Sequence, residues 1–431
     1  MSRMQTLAQA LQRMLSAVHI PVTQEWIGLD NAAERILACD IYSPLDVPAF
    51  DNSAMDGYAV RFADVADERR LKVVGQSLAG HPFDGDIAIG GCVRITTGAM
   101  VPAELDTVLM QETVTKRSDG HDEFIELQQR PKAGQHVRLR GSELQQGQLV
   151  LRKGQRLGPL HLGVLATLGI ARVAVYPQLT VGVLSSGDEI KQAGTPLGVG
   201  DVYDSNRIVI KTILKRLGYQ VVDYGWVADD PLHLTQVFQR AAGEVDALVT
   251  SGGVSVGDAD HTRQVLESLG QMNFWQVAIK PGKPFAFGTL GACAFFGLPG
   301  NPVSAVMTLE QLVIPALAKR AGWVDALQVS SLHHPEAVQA DLVGMTAAGT
   351  YPLISAKAQQ PLRKKAGRMD FQRVNLSVVE QQAVIEPVGL DSSGMLTSLL
   401  YANAWTWLEQ DRADVAVGQT VLVQLKSPWL W

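Results

Sequence analysis

At 431 residues the chain has room for about three domains, each able to bury a core without disulfide or metal support. Lys+Arg 37 against Asp+Glu 43 gives a net charge of −6, which with no long basic run excludes a general nucleic-acid binder. A composition of 46% hydrophobic and 19% charged residues is that of a globular protein, and no apolar stretch approaches the roughly 18 residues of a membrane span.

Cys39, Cys92 and Cys293 are far apart and form no C-x-x-C or Cys/His spacing, so neither a disulfide framework nor a zinc site is expected. A soluble, cytoplasmic protein is the expectation. Met4, Leu7, Leu11, Met14, Leu15 and Val18 fall at helical spacing before Pro21, which predicts an amphipathic packing helix and not a signal peptide.

Residues 1–45 read as helical and then irregular. From 46 to 140 the pattern is β-rich, with short runs at Leu71–Val74, Cys92–Thr96, Thr107–Thr115 and Phe124–Leu127 between Gly, Asp and Pro. A helix is predicted near 159–168, opened by Pro159 and followed by Gly169, and Pro177 marks a boundary. The rhythm then becomes strand–helix alternation to about residue 320. The strands are Leu179–Leu184, Tyr219–Val227, Val245–Thr250, Phe285–Gly288 and Ala292–Phe296. The helices run from Ser205 to Leu217, from Pro231, after the glycine-rich loop near 251–260, and from about Asn301. This predicts a doubly wound α/β domain, followed after about 325 by a small β domain. No internal repeat is present.

In such a sheet, ligands bind beyond the carboxyl ends of the parallel strands. The turns there are polar and glycine-rich: Ser185–Glu189, Asp229-Asp230, Ser251–Asp260 and Leu298–Pro302. Four such turns on one edge predict a cleft. Glycines let backbone N–H groups approach an anion, helix N-termini favour negative charge, and Lys280 and Lys283 supply compact positive charge. The carboxylates Asp188, Glu189, Asp229, Asp230, Asp258 and Asp260 would repel a phosphate unless a hard cation such as Mg²⁺ lay between. Simpler roles compete: Asp229 and Asp230 as caps of the helix that Pro231 begins, and Lys283 as a solvated turn residue. No Walker A, Rossmann, G-x-S-x-G or H-E-x-x-H pattern occurs, and the histidines form no metal-spaced cluster. Asp51–Ala59 and Thr96–Ala99, in the β-rich part, are ordinary turn chemistry when read alone.

Read in order, seven segments resemble the molybdopterin molybdenumtransferase family, bacterial MoeA and the gephyrin E domain. They are Ser53–Ala59, Thr97–Ala99, Ser186–Glu189, Asp204–Asn206, Ser251–Asp258, Lys280–Pro284 and Leu298–Pro302. The resemblance spans essentially the whole chain. It implies multidomain α/β plus β architecture: an elongated domain from 1–45 and 141–176, a β-rich insert at 46–140, a doubly wound α/β molybdopterin-binding domain at 177–326, and a C-terminal β-barrel at 327–431. The implied reaction inserts molybdenum from the substrate molybdate into adenylylated molybdopterin and releases AMP, with Mg²⁺ as cofactor.

Carried over by motif, Glu189 and Asp260 would handle metal, molybdate or water, with Asp229 or Asp230 joining them as metal ligands. Lys280 and Lys283 would bind phosphate or molybdate, and Ser251, Gly252, Gly253, Pro299 and Pro302 would surround the pterin and its phosphate. Arg368, Ser392 and Ser393 would line the anion-binding edge. Asp56 and Thr97 would complete the cleft from the second subunit of a homodimer with shared active sites. A molybdopterin adenylyltransferase and apo-molybdoenzymes are the candidate protein partners; nucleic acid and membrane are not expected. Two departures stand out: Ser142-Glu143 where the family has Glu-Asp, which gives Glu143 the acidic catalytic role, and Asp370 where the family has Glu. The rival readings are an E-domain-like scaffold dimer with little activity and an unrelated Mg²⁺-dependent phosphohydrolase.

Overall fold

The computed structural model describes residues 4–67, 70–252, 261–323, 353–389, 392–427 and 430. They divide into two compact units, one of Met1–Cys39, Lys153–Leu162 and Arg172–Trp431, the other of Asp40–Arg152 and Gly163–Ala171.

The second unit is built on a six-stranded mixed sheet. Its order is Thr107–Met110, Gly57–Val60, Gly91–Ile95, Arg70–Ser77, Asp122–Leu127, Val114–Asp119, antiparallel except where Gly91–Ile95 runs beside Arg70–Ser77. Alternation sends Tyr58 and Val60 to one apolar cluster and Ala59 to another, so both faces of this sheet are packed. The sequence predicts one strand over Thr107–Thr115; the structure has two, separated by a 3₁₀ turn at Gln111–Thr113. The Thr113 hydroxyl donates to the Met110 carbonyl and closes that turn, and the strand beyond it pairs with a different neighbour. Gly57 has a steric reason: a Cβ there would sit 1.7 Å from the Leu109 carbonyl oxygen on the paired strand.

In the first unit, α1 (Leu7–Ala17) begins with a reciprocal Thr6/Gln9 cap and buries Leu7, Ala10, Leu11 and Met14. The α/β body follows as β1 (Thr180–Ser186), α2 (Asn206–Arg216), β2 (Gln220–Val227), α3 (Pro231–Glu244), β3 (Ala247–Ser251), α4 (His261–Leu269), β4 (Gln271–Gln276), β5 (Pro284–Leu290) and β6 (Cys293–Leu298). Sheet order is β2-β1-β3-β6-β5-β4. β1, β2, β3 and β6 are parallel, as predicted. β5 and β4 are antiparallel additions, and β4 has no counterpart in the sequence reading. One face packs Val181, Val183, Val249 and Phe296 against α1 and α2, and the other packs Leu184, Leu248 and Phe295 against α3 and α4.

The next helix is interrupted. α5 (Pro302–Thr308) continues through a π-type turn at Leu309–Val313 into α6 (Ile314–Arg320). Pro315 brings no N–H to the ladder, which accounts for the irregular turn just before it. A closed barrel follows, β7 (Ile354–Ala358), β8 (Arg373–Val379), β9 (Gln382–Pro387), β10 (Ala404–Trp407) and β11 (Thr420–Leu425), in the order β7-β9-β8-β10-β11. Ala356, Val374, Ile385, Ala404 and Val423 fill it, while Phe371, Trp405 and Trp407 join the core of the α/β body. Ile279–Lys280 also pairs in parallel with Met369–Asp370. The barrel is thereby fixed to the edge where the cleft lies. Among the described residues, no helix is long and apolar enough to cross a membrane.

Candidate functional site

A cleft of about 830 Å³ opens along that edge. The ends of β1 and β3 supply Ser185, Ser186, Ser251 and Gly252, and the turn after β6 supplies Pro299 to Pro302. Because β5 runs antiparallel, the segment entering it, Lys280 to Pro284, reaches the same edge as the segments leaving the parallel strands. The barrel contributes Arg363, Arg368, Asp370, Arg373 and Ser393.

Hydrogen bonds lock the floor. The Asn206 side-chain amide donates to Ser251 Oγ at 2.7 Å and to the Gly300 carbonyl at 2.7 Å, which ties two of the turns together. The Ser185 hydroxyl donates to Asp204 at 3.1 Å. Asp204 in turn accepts from Arg207, which also pairs with Asp223, and Lys211 completes the chain at 2.7 Å from Asp223. Burial works to raise the Asp223 carboxyl, but hydrogen bonds from Lys211, Arg207 and the Gly225 N–H outweigh it and hold it at about 2. The first turn of α2 is therefore anchored by a chain of ion pairs.

Glu189 lines the cleft at the start of a short ribbon in which Ile190–Lys191 pairs with Val202–Tyr203. The Trp226 indole N–H donates to the Gly187 carbonyl at 2.7 Å, and Asp188 accepts the Asp229 backbone N–H at 3.2 Å, so the turn before Glu189 is pinned from β2. Asp230 caps α3 by accepting the His233 N–H at 2.8 Å, and Asp229 lies 3.5 Å from the Thr262 hydroxyl; neither lines the cleft. Asp260 and Gly253 lie outside the described residues. No group of three His, Cys, Asp or Glu side chains that could hold a metal ion occurs among the described residues.

The opposite wall is cationic. Lys280 pairs with the buried Asp370 at 3.2 Å across the joint between body and barrel, so the shorter acid at 370 still reaches its lysine. Lys283 is exposed and makes no ion pair among the described residues, nor does the half-buried Arg368. With Asp204 and Asp370 already paired, this wall presents net positive charge to a bound anion. Ser392 sits just off the lining, its carbonyl accepting from Arg373 at 3.3 Å and its hydroxyl from the Gly394 N–H at 3.3 Å.

In the other unit, Asp56 accepts both the backbone N–H and the hydroxyl of Thr97, at 2.7 and 2.9 Å. These two bonds, with the Arg94 charge, hold its carboxyl below the ordinary range. Glu143 is exposed there, its backbone N–H donating to Val47. Of the residues expected at the site, the cleft unites Glu189, Ser251, Gly252, Lys280, Lys283, Pro299, Pro302, Arg368 and Ser393. Sequence reasoning did not single out Arg363 or Arg373, and gave Ser186 and Asn206 no role of their own. The local signals were their places in two matched motifs, Ser186–Glu189 and Asp204–Asn206.

Three family models match successive parts of the chain: the MoeA N-terminal region (domain I and II) at residues 5–169, a probable molybdopterin binding domain at 182–319, and the MoeA C-terminal region (domain IV) at 355–426. The chain is 44% identical, over 98% of both sequences, to a molybdopterin molybdenumtransferase of Haemophilus influenzae. It is 30% identical to that of Bacillus subtilis, over 94% of this chain and 92% of the relative. The solved structure of a molybdopterin biosynthesis MoeA protein from Pyrococcus horikoshii OT3 is similar over 98% of this chain and all of its own, with TM-score 0.79 and 25% identity.

Proposed function

The chain belongs to the MoeA family of molybdopterin molybdenumtransferases, and from that premise we propose that the cleft binds adenylylated molybdopterin together with molybdate, transfers molybdenum to the pterin's dithiolene and releases AMP. The observation that carries this reading is the division of one cleft into a floor rich in hydroxyls and amides and a wall that carries Lys280, Lys283, Arg363 and Arg368. A neutral heterocycle suits the floor; phosphate and molybdate oxygens suit the wall.

Lys280, Lys283 and Arg368 hold the anionic oxygens and keep the phosphoanhydride and molybdate close enough to react. Lys280 is held in place by Asp370, and the Asn206 clasp fixes the turns beneath the substrate. Glu189 is the carboxylate of the lining that is available to a cation or a reacting water. Among the described residues, Glu189 is the lining carboxylate that would hold Mg²⁺, and no complete protein cage is formed, which suits an ion commonly bound by few protein ligands together with substrate phosphates. Bound there, Mg²⁺ would neutralise phosphate charge.

Purified protein given adenylylated molybdopterin, molybdate and Mg²⁺ is expected to form AMP and molybdenum cofactor together. AMP formed without incorporation of molybdenum would favour a phosphohydrolase, and no AMP above background would favour a scaffold. The same assay tests the homodimer: if Asp56 of the partner subunit serves each cleft, mixing Asp56→Asn and Glu189→Gln chains should restore roughly a quarter of wild-type activity after subunit exchange. No recovery after verified exchange contradicts the shared site.

A further inference from the structure

Ser186 ends β1 on the cleft floor and is 4% exposed, yet its hydroxyl has no hydrogen-bond partner among the described residues. Buried hydroxyls are rarely left unpaired, because desolvation goes uncompensated. Its neighbours on the same edge are satisfied: Ser185 donates to Asp204, and Ser251 accepts from Asn206. Space beside it is kept open by Gly252, where a Cβ would lie 3.6 Å from Ser186 Oγ. The hydroxyl is thus a buried polar group, unpaired among the described residues, on the floor of an open cleft.

We infer that Ser186 is a substrate-binding residue whose hydroxyl hydrogen-bonds the neutral heterocycle of the pterin, an inference that rests on the molybdenumtransferase reading. Besides the Glu189 and Asp204 carboxylates, the latter paired with Arg207, the polar side chains that the β1, β3 and β6 ends and the start of α2 bring to the lining are hydroxyls and amides. The cations lie instead on the Lys280–Lys283 segment and on the barrel. A serine hydroxyl both donates and accepts, which matches the alternating donors and acceptors along a pterin edge. Thr250 provides an internal comparison: its hydroxyl is also buried and unpartnered, but it does not line the cleft.

The test combines thermal unfolding of the ligand-free protein with calorimetric binding of molybdopterin and, separately, of molybdate. Ser186→Ala is expected to leave the ligand-free melting temperature unchanged or raised, since it removes an unsatisfied polar group. It should weaken molybdopterin binding about three- to tenfold, the worth of one hydrogen bond, and leave molybdate binding unchanged. Thr250→Val should alter neither affinity. A lowered ligand-free melting temperature for Ser186→Ala makes the hydroxyl structural and overturns the inference, as does wild-type affinity for molybdopterin. Equal weakening of molybdate overturns the heterocycle assignment. Should the wild-type protein itself fail to bind molybdopterin, the underlying reading falls and takes the inference with it.

Discussion

Asn206→Asp is expected to lower kcat/KM by roughly 10²-fold, equivalent to about 3 kcal/mol, although it replaces an amide by a group of the same size. The Asn206 amide nitrogen donates to both Ser251 Oγ and the Gly300 carbonyl, and an aspartate has no N–H to give. A carboxylate oxygen would instead face the carbonyl oxygen of Gly300 and push apart the turns that carry Ser251, Gly252, Pro299 and Pro302. It would also add negative charge to the cleft proposed to hold anionic substrate oxygens. Asn206→Ala should cost less, because it loses the clasp without adding the repulsion. Steady-state kinetics on both variants make the comparison. An Asn206→Asp enzyme as active as wild type would show that the clasp does not organise the site.

Gly252→Ala is expected to give a large loss of stability for a single methyl group. Gly252 has φ +89°, and a Cβ there would lie 2.4 Å from the backbone oxygen of Ser186. The left-handed backbone alone costs a non-glycine residue about 1–3 kcal/mol, and contact with a main-chain atom cannot be relieved by rotating a side chain. Gly300→Ala is the matched control on the same rim: nothing lies within 4 Å of its added Cβ, and its φ is not positive. Thermal unfolding should separate the two by several degrees. Equal melting temperatures would mean that the β1–β3 edge yields more easily than its packing implies.

These two positions show what local sequence conveys and what it does not. The parallel strands of the α/β body were legible because strands buried on both faces read as continuous apolar runs; Val181, Val183 and Leu184 are all fully buried. Helix ends were legible from their caps, as at Asp230-Pro231 and at Gly218 after α2. β4 was not legible: an edge strand at Gln271–Gln276 acquires its identity from pairing with β5. The antiparallel pairing of β5 with β6 sets the direction of β5, and so decides that Lys280 and Lys283 arrive at the site edge. The glycine-rich turns announced a cleft because each follows an apolar strand.

The clasp, the Asp204–Arg207–Asp223 chain and the orphaned Ser186 hydroxyl were invisible because they depend on contacts between distant segments. Asn206 reaches Gly300 across 94 positions, and Lys280 reaches Asp370 across 90. Arg363 and Arg373 flank Arg368 in sequence, yet only closure of the barrel brings all three to one wall. Residue type announced a polar cleft with lysines at its edge, and tertiary pairing selected the groups that build it.

The most direct test of the account is a crystal structure of the protein with adenylylated molybdopterin, molybdate being withheld to prevent turnover. The account predicts the ligand in the 830 Å³ cleft, its pterin on the floor beside Ser186 and Ser251 and its phosphates against Lys280, Lys283 and Arg368. A ligand bound elsewhere on the chain, or seated in this cleft with its phosphates away from that cationic wall, would contradict it.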